Sequence, residues 1–390
     1  MRILGKWLGR LFFLLIPLLG AVFFFAPAYI EGGRNVVKPH DPYPVSPAAQ
    51  ALHDDLTIGD WHADPLLWRR DLNRRGTRGQ VDIPRLIEGN VAVQVFTAVT
   101  KSPAGQNYDQ NAADAMDNIT LLALAQFWPP RTWNSLLERA LYQAEKLERF
   151  EARSAGDLRI LRTRADLEQL LEDRANGQKV VGGILGIEGS HPLEGDLANL
   201  QVLQDAGYRL IALQHFFDNA LGGSLHGFGG IGLSEFGREV VREVDKRGLI
   251  LDIAHSSPRV VAEVLEMTDI PIVVSHTGIH SNCPVKRNLS DKLMRRIAAS
   301  GGVIGIGYWS DVTCDDSPAG VAKTIKAAID VVGEDHVSLG SDFDGSVTTA
   351  FDTSELAALT QAMLDAGLSE RQIRKVAGEN MLRVLRARLQ

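Results

Sequence analysis

What this chain lacks narrows its chemistry before any motif is read. Its 390 residues hold two cysteines, Cys283 and Cys314. Two are too few for a disulfide scaffold, and no CxxC spacing offers a thiolate zinc site. No long basic run interrupts a formal net charge of -7, which argues against nucleic acid as a partner. No internal repeat or low-complexity tract is present. HSS at 255–257 lacks the strand–GxSxG–helix elbow of a serine nucleophile. GFGGIG at 227–232 matches a dinucleotide fingerprint in letters only, because the preceding DNALGGSLH is not an apolar strand. The balance that remains, 45% hydrophobic and 23% charged, is that of an ordinary globular protein with ample core.

The N-terminus is the exception to that balance. MRILGKWLGR carries Arg2, Lys6 and Arg10, and the apolar run LFFLLIPLLGAVFFFAPAYI follows from 11 to 30. Such a run can span a bilayer with the basic residues on the cytoplasmic side. Its length favours a retained signal-anchor, whereas Ala26-Pro27-Ala28 fits a signal peptide cleaved at a small-x-small site. Either way residues 1–30 direct export, and the rest lies on the periplasmic or extracellular side, anchored or secreted. There the two cysteines can form one bridge; in a cytoplasmic protein they would be buried thiols. Residues 31–50, rich in Pro, Gly and polar side chains, read as a linker.

From residue 51 onward short apolar runs alternate with amphipathic stretches. The runs are LTIGDWH (56–62), VAVQVFTAV (91–99), VVGGILGIE (180–188), YRLIALQH (208–215), LILDIAH (249–255), PIVVSH (271–276), GGVIGIGY (301–308) and HVSLGSD (336–342). Near-continuous apolar strands separated by helices point to a parallel sheet buried on both faces, and eight of them close a TIM-like (β/α)8 barrel. The segment 100–179 is too long for one crossover and reads as a helical excursion after the second strand.

A barrel places its active site at the C-terminal ends of its strands. The last polar residues of six runs are His62 with Asp64, Glu188, His215, His255, His276, and Asp342 with Asp344. Taken singly, an HxD pair is more often a turn Asp beside a solvated His, and each other histidine a satisfied core residue. Collected at one mouth they describe a metallohydrolase. His62 and Asp64, two apart on a strand, face the same side and can grip one ion. Imidazoles with carboxylates suit zinc better than calcium or magnesium. Glu188 can bridge to a second ion held by His255 and His276. Two such ions would share a water of lowered pKa, Asp342 could carry its proton, and His215 could stabilise an oxyanion. Arg287, in PVKRNLSD, can pair with a substrate carboxylate.

Those residues, with DWHAD, QVDIPRLIEGNVAVQVF, IEGSH, GLSEFGREVVREVDKRGLILDIAHSS, VVSHTGIHSNCPVKRN, GSDFDG and GENMLRVL, resemble the membrane (renal) dipeptidases, zinc enzymes related to the amidohydrolases. The resemblance spans residues 53 to 387. It implies a dipeptidase with two Zn2+ per chain, acting on L-L and L-D dipeptides through a zinc-bridging hydroxide. It implies that His62 and Asp64 bind the first zinc, that Glu188 bridges, and that His255 and His276 bind the second. His215 and Asp342 would meet the scissile bond, Arg287 the free carboxylate, and Cys283 would pair with Cys314. The partners expected are a dipeptide, the membrane through residues 11–30, and a second copy in a homodimer. HFFDNALGGS after His215 departs from the family pattern, which bears on substrate preference. Competing readings keep the barrel but change the amide, to a β-lactam or N-acyl amino acid, or make the protein a silent membrane-tethered scaffold.

Overall fold

In the computed structural model, which describes residue 20 and residues 23–390, all eight apolar runs are strands. They are β1 (Ile58–Ala63), β2 (Val91–Val99), β3 (Val181–Glu188), β4 (Tyr208–Ala212), β5 (Ile250–Asp252), β6 (Val273–Thr277), β7 (Val303–Ile306) and β8 (Val337–Leu339). Every neighbouring pair is parallel, in the order β2-β1-β8-β7-β6-β5-β4-β3, and β3 pairs back to β2. The sheet is therefore a closed barrel. Its strands are buried throughout, apart from the half-buried Arg209, because side chains fill the inside and helices cover the outside.

The covering helices begin where the sequence supplies a serine. Ser234, Ser257, Ser290 and Ser317 each accept a hydrogen bond from the third residue beyond, satisfying an N–H that the first turn leaves free. Such caps fix where each helix leaves the strand-end loop before it. The excursion after β2 contains helices α1 (Asn118–Ala125), α2 (Leu136–Arg153) and α3 (Arg164–Ala175). It also contains a strand, Leu158–Ile160, which pairs with the start of β3. Three residues are too few to show periodicity, so the sequence does not reveal that strand.

The segment read as a linker, residues 31–50, is fastened along the barrel. Glu31 is buried and ion-pairs with Arg70 and Arg78. Val36–Val37 forms a parallel pair with Thr348–Thr349, and a helix begins at Pro47 behind the cap Ser46. Half of this segment is in regular elements, residues 31–34 and 47–50 helical and 36–37 a strand; its partners are distant in sequence, which composition cannot show. Most of the 11–30 run lies outside the described residues. Residues 23–34 are helical, and among the described residues no helix is long and apolar enough to cross a membrane.

Cys283 and Cys314 are joined as a disulfide across a sequence separation of 31. The bridge ties the loop after β6, which carries Arg287, to the loop after β7. Closing a loop of that length removes unfolded-state entropy worth about 3–4 kcal/mol. Thiol titration of unreduced, denatured protein should find no free thiol, and Cys283→Ser should melt well below the oxidised parent. Two free thiols, or an unshifted melting curve, would count against that role.

Candidate active site

The strand ends bring the sequence-derived residues to one place. A cavity of about 1140 Å³ at the C-terminal mouth is lined by Asp64, Glu188, His215, His255, His276, Arg287 and Asp342. His62 sits beneath them, fully buried. Glu188 is the centre of the cluster. Its Oε1 lies 3.5 Å from His62 Nε2, 3.3 Å from His255 Nε2 and 3.5 Å from His276 Nε2, and its Oε2 lies 3.3 Å from His215 Nε2. His62 Nε2 is also 3.4 Å from Asp64 Oδ2 and 4.0 Å from Asp342 Oδ1.

Two of these residues stand on unusual backbone. His255 has φ 63° and Asp342 φ 61°, in the left-handed region that L side chains rarely adopt. Each such residue costs about 1–3 kcal/mol, and the surrounding packing must hold it. Both occur just past the end of a strand, where the turn aims the side chain back over the barrel mouth.

The donor set fits divalent cations. Three groupings have ligand atoms close enough to share an ion: His62 with Asp64 and Glu188, Glu188 with His215 and His255, and His62 with His276 and Asp342. His62 Nε2 is buried with no hydrogen-bond partner among the described residues. His255 Nε2 and His276 Nε2 face one another at 2.9 Å, a contact that needs a proton or a cation between them. Burial raises the Glu188 carboxyl well above its usual range, although His62 opposes the shift. It pushes Asp342 up to about 8, with Asp64 adding to the effect and His62 opposing it. Burial also holds His255 and His276 well below an ordinary histidine, with Arg287 contributing. His62 goes the other way: against the effect of burial, the Asp64 and Glu188 carboxylates push it up to about 10. Carboxylates that resist ionising, two imidazoles held neutral and one held protonated all mark a shortage of positive charge, which a bound metal would supply.

Ser275 organises two of the imidazoles from behind. Its Oγ lies 3.2 Å from His62 Nδ1 and 2.9 Å from His276 Nδ1. A hydroxyl oxygen has two lone pairs, so it can accept from both Nδ1–H groups and leave both Nε2 lone pairs pointing into the site. Gly340 permits this arrangement: a Cβ there would meet the Ser275 carbonyl oxygen at 1.8 Å. Ser275→Ala should therefore weaken metal affinity by about 10–100-fold while the protein stays folded. Competition with a metal-binding dye measures it, and an unchanged affinity would remove Ser275 from this role.

Arg287 is fully buried beside the cluster. Its Nη2 donates to the His276 carbonyl at 2.7 Å, and its Nε has no hydrogen-bond partner among the described residues. Its guanidinium carbon stands 5.9 Å from the Trp309 ring centroid. The residues that sequence reasoning missed are on this side. Trp309, whose Nε1 donates to Tyr108 Oη at 3.0 Å, follows the end of β7 and was findable by the strand-end rule. Tyr108 lies in the polar stretch GQNYDQNA, and no pattern in the sequence marks it. Asp344, grouped with Asp342 in sequence, belongs elsewhere: its Oδ1 accepts from Gln80 N at 2.7 Å and its carboxylate pairs with Arg70. The decoys also resolve. Ser256 donates to Gln214 Oε1 at 2.6 Å and Ser257 caps a helix, so neither serves as a nucleophile.

Residues 47–389 match the family model for membrane dipeptidase, peptidase family M19. The chain belongs to the membrane dipeptidase family. Among curated relatives, the dipeptidase tcpJ of Claviceps purpurea is 28% identical over 319 residues, covering 79% of this chain and 69% of that one. Among solved structures, the family M19 metallopeptidase dipeptidase AC superposes with a TM-score of 0.70 at 26% identity, over 86% of this chain and 99% of its own. A metallopeptidase from Rhodobacter sphaeroides, liganded with a phosphinate mimic of L-Ala-D-Ala, superposes at 0.69 with 26% identity, over 85% and 99%. The membrane dipeptidase match begins at the first residue of the helix Pro47–Asp55, so residues 23–46 lie ahead of it. Membership makes the protein a metallo-dipeptidase, a hydrolase with a metal cofactor.

Proposed function

We propose that this metallo-dipeptidase is exported, is held to the membrane through residues 11–30, and cleaves dipeptides bearing a free C-terminal carboxylate with two zinc ions. The observation that carries the substrate reading is Arg287. A buried guanidinium without a carboxylate of its own among the described residues is a costly arrangement unless a ligand anion completes it. A dipeptide carboxylate answers that charge and leaves the scissile amide over the Glu188 cluster, within reach of Asp342.

His62 and Asp64 would hold one ion and His255 and His276 the other, with Glu188, which faces both pairs, contributing to both. Bound metal supplies a Lewis acid and lowers the pKa of a water to near neutrality. Asp342, whose Oδ1 stands 4.0 Å from His62 Nε2 at the rim of the cluster, is placed to take the proton of the attacking water and return it to the leaving amine. His215, 3.3 Å from Glu188 Oε2, is placed to donate to the carbonyl oxygen as negative charge develops there. The L-Ala-D-Ala mimic in the Rhodobacter sphaeroides relative supports acceptance of L-D as well as L-L dipeptides.

Export is supported by the basic residues ahead of the apolar run and by the Cys283–Cys314 bridge. Anchoring is supported by Phe23, Phe24 and Phe25, which continue that run and are exposed on the domain. A library of L-L and L-D dipeptides, with a β-lactam and an N-acyl amino acid as further arms, tests the activity with and without chelator. Dipeptide hydrolysis lost on chelation and restored by zinc is expected, together with about two zinc ions per chain by elemental analysis. A metal-replete protein inert toward every dipeptide would overturn the reading.

A further inference from the structure

The cavity that ends on the Glu188 cluster has a second, apolar half. Tyr29 and Ile30 of the N-terminal helix and Leu121, Leu122 and Ala125 of α1 line it, together with the catalytic side chains. Residues 28–34 precede the family match, which begins at residue 47, so this part of the wall lies ahead of the matched domain and the α1 part within it.

The helix is held in place by contacts on its inner side. Glu31, 1% exposed, pairs with Arg70 and with Arg78 Nε at 2.6 Å, and Arg70 also pairs with Asp344. Asn35 Oδ1 accepts from Ser346 N at 2.9 Å, where the following Val36–Val37 pair joins the loop after β8. The wall is thus tied to the loop that carries Asp342. Its own apolar side chains remain uncovered: Tyr29 is 85% exposed, Ile30 44% and Leu121 52%.

Barrel order gives the wall a direction. Arg287 follows β6 and α1 follows β2. In the closed ring β2 and β6 are separated by β3, β4 and β5 on one side and by β1, β8 and β7 on the other. They stand opposite across the mouth. A dipeptide whose carboxylate meets Arg287 therefore points its N-terminal residue toward the apolar half.

Resting on the dipeptidase reading above, we propose that this half of the cavity is a binding site for a large apolar side chain on the N-terminal residue of the substrate. Burying a leucine or phenylalanine side chain against a half-open wall should favour it over glycine by on the order of tenfold in kcat/KM. The preference is for one end of the peptide only, since the wall lies on one side of the scissile bond.

The test uses the full chain in detergent and compares Gly-Ala, Ala-Ala, Leu-Ala and Phe-Ala with the reversed Ala-Leu and Ala-Phe. Leu-Ala and Phe-Ala should exceed Gly-Ala by roughly tenfold, chiefly through KM, and the reversed pair should not show the same gain. In Tyr29→Ser and Leu121→Ser the Leu-Ala to Gly-Ala ratio should fall toward one. Both side chains are exposed, so neither change disturbs the core. A ratio near one in the unaltered chain, a ratio unmoved by both substitutions, or an equal gain in the reversed peptides would overturn the proposal while leaving the dipeptidase reading intact. Failure to cleave any of the peptides would instead overturn the dipeptidase reading itself, and this proposal with it.

Discussion

Glu188→Gln should reduce dipeptide kcat/KM by on the order of 10³ or more, the largest loss from any single isosteric change in this protein. The reason is geometric. Its two oxygens lie 3.3–3.5 Å from the Nε2 atoms of four histidines, and no other carboxylate reaches so many of the donors. An amide keeps the volume but loses the charge and one acceptor, and its NH2 turns a donor toward ring nitrogens whose lone pairs face the same point. Metal content should fall along with activity. Elemental analysis and kcat/KM measured on one preparation, with circular dichroism to confirm the fold, decide it. A Glu188→Gln enzyme that retains both its metal and its rate would displace Glu188 from the centre of the site.

Arg287→Ala should reduce kcat/KM for unmodified dipeptides by on the order of 10²–10³, the range expected on removing one partner of a buried charge pair. The guanidinium is buried, and its Nε finds no partner among the described residues. Arg287→Lys should recover only part of that loss, because an ammonium cannot present the fork that holds a carboxylate bidentately. Dipeptide amides separate this role from a structural one. The unaltered enzyme should cleave them poorly, and Arg287→Ala should scarcely change that poor rate. If the substitution slowed amides and free dipeptides equally, the residue would be supporting His276 through its carbonyl and not reading the substrate.

Much of this site was legible in the sequence because a parallel barrel imposes a simple rule. Strands buried on both faces are apolar along most of their length, so the last polar residue of each run marks the mouth. His62, Glu188, His255 and His276 were found that way, and each lies within 3.5 Å of another member of the cluster. The rule also over-collected. Asp344 shares a strand end with Asp342, yet its left-handed backbone, φ 63°, accompanies a carboxylate paired with Arg70, away from the donor cluster. Tyr108 escaped because irregular loops carry no period.

Residue type and strand-end position were thus local properties, set by hydrophobic period and readable one run at a time. The tertiary structure decided which of those side chains meet. Ser275 orients His62 across 213 residues of chain, Lys38 reaches Asp316 across 278, and Glu31 closes on Arg70 from outside the family domain. Such contacts depend on how the barrel closes and where its loops fold back, and side-chain period carries no information about either. The sequence by itself therefore determined the fold class and the metallo-dipeptidase activity, and nominated the metal ligands and the carboxylate reader. Only the folded chain could show that Glu188 is the hub, that Ser275 stands behind two imidazoles, and that the end of the apolar N-terminal run and the start of the expected linker line the active-site cavity.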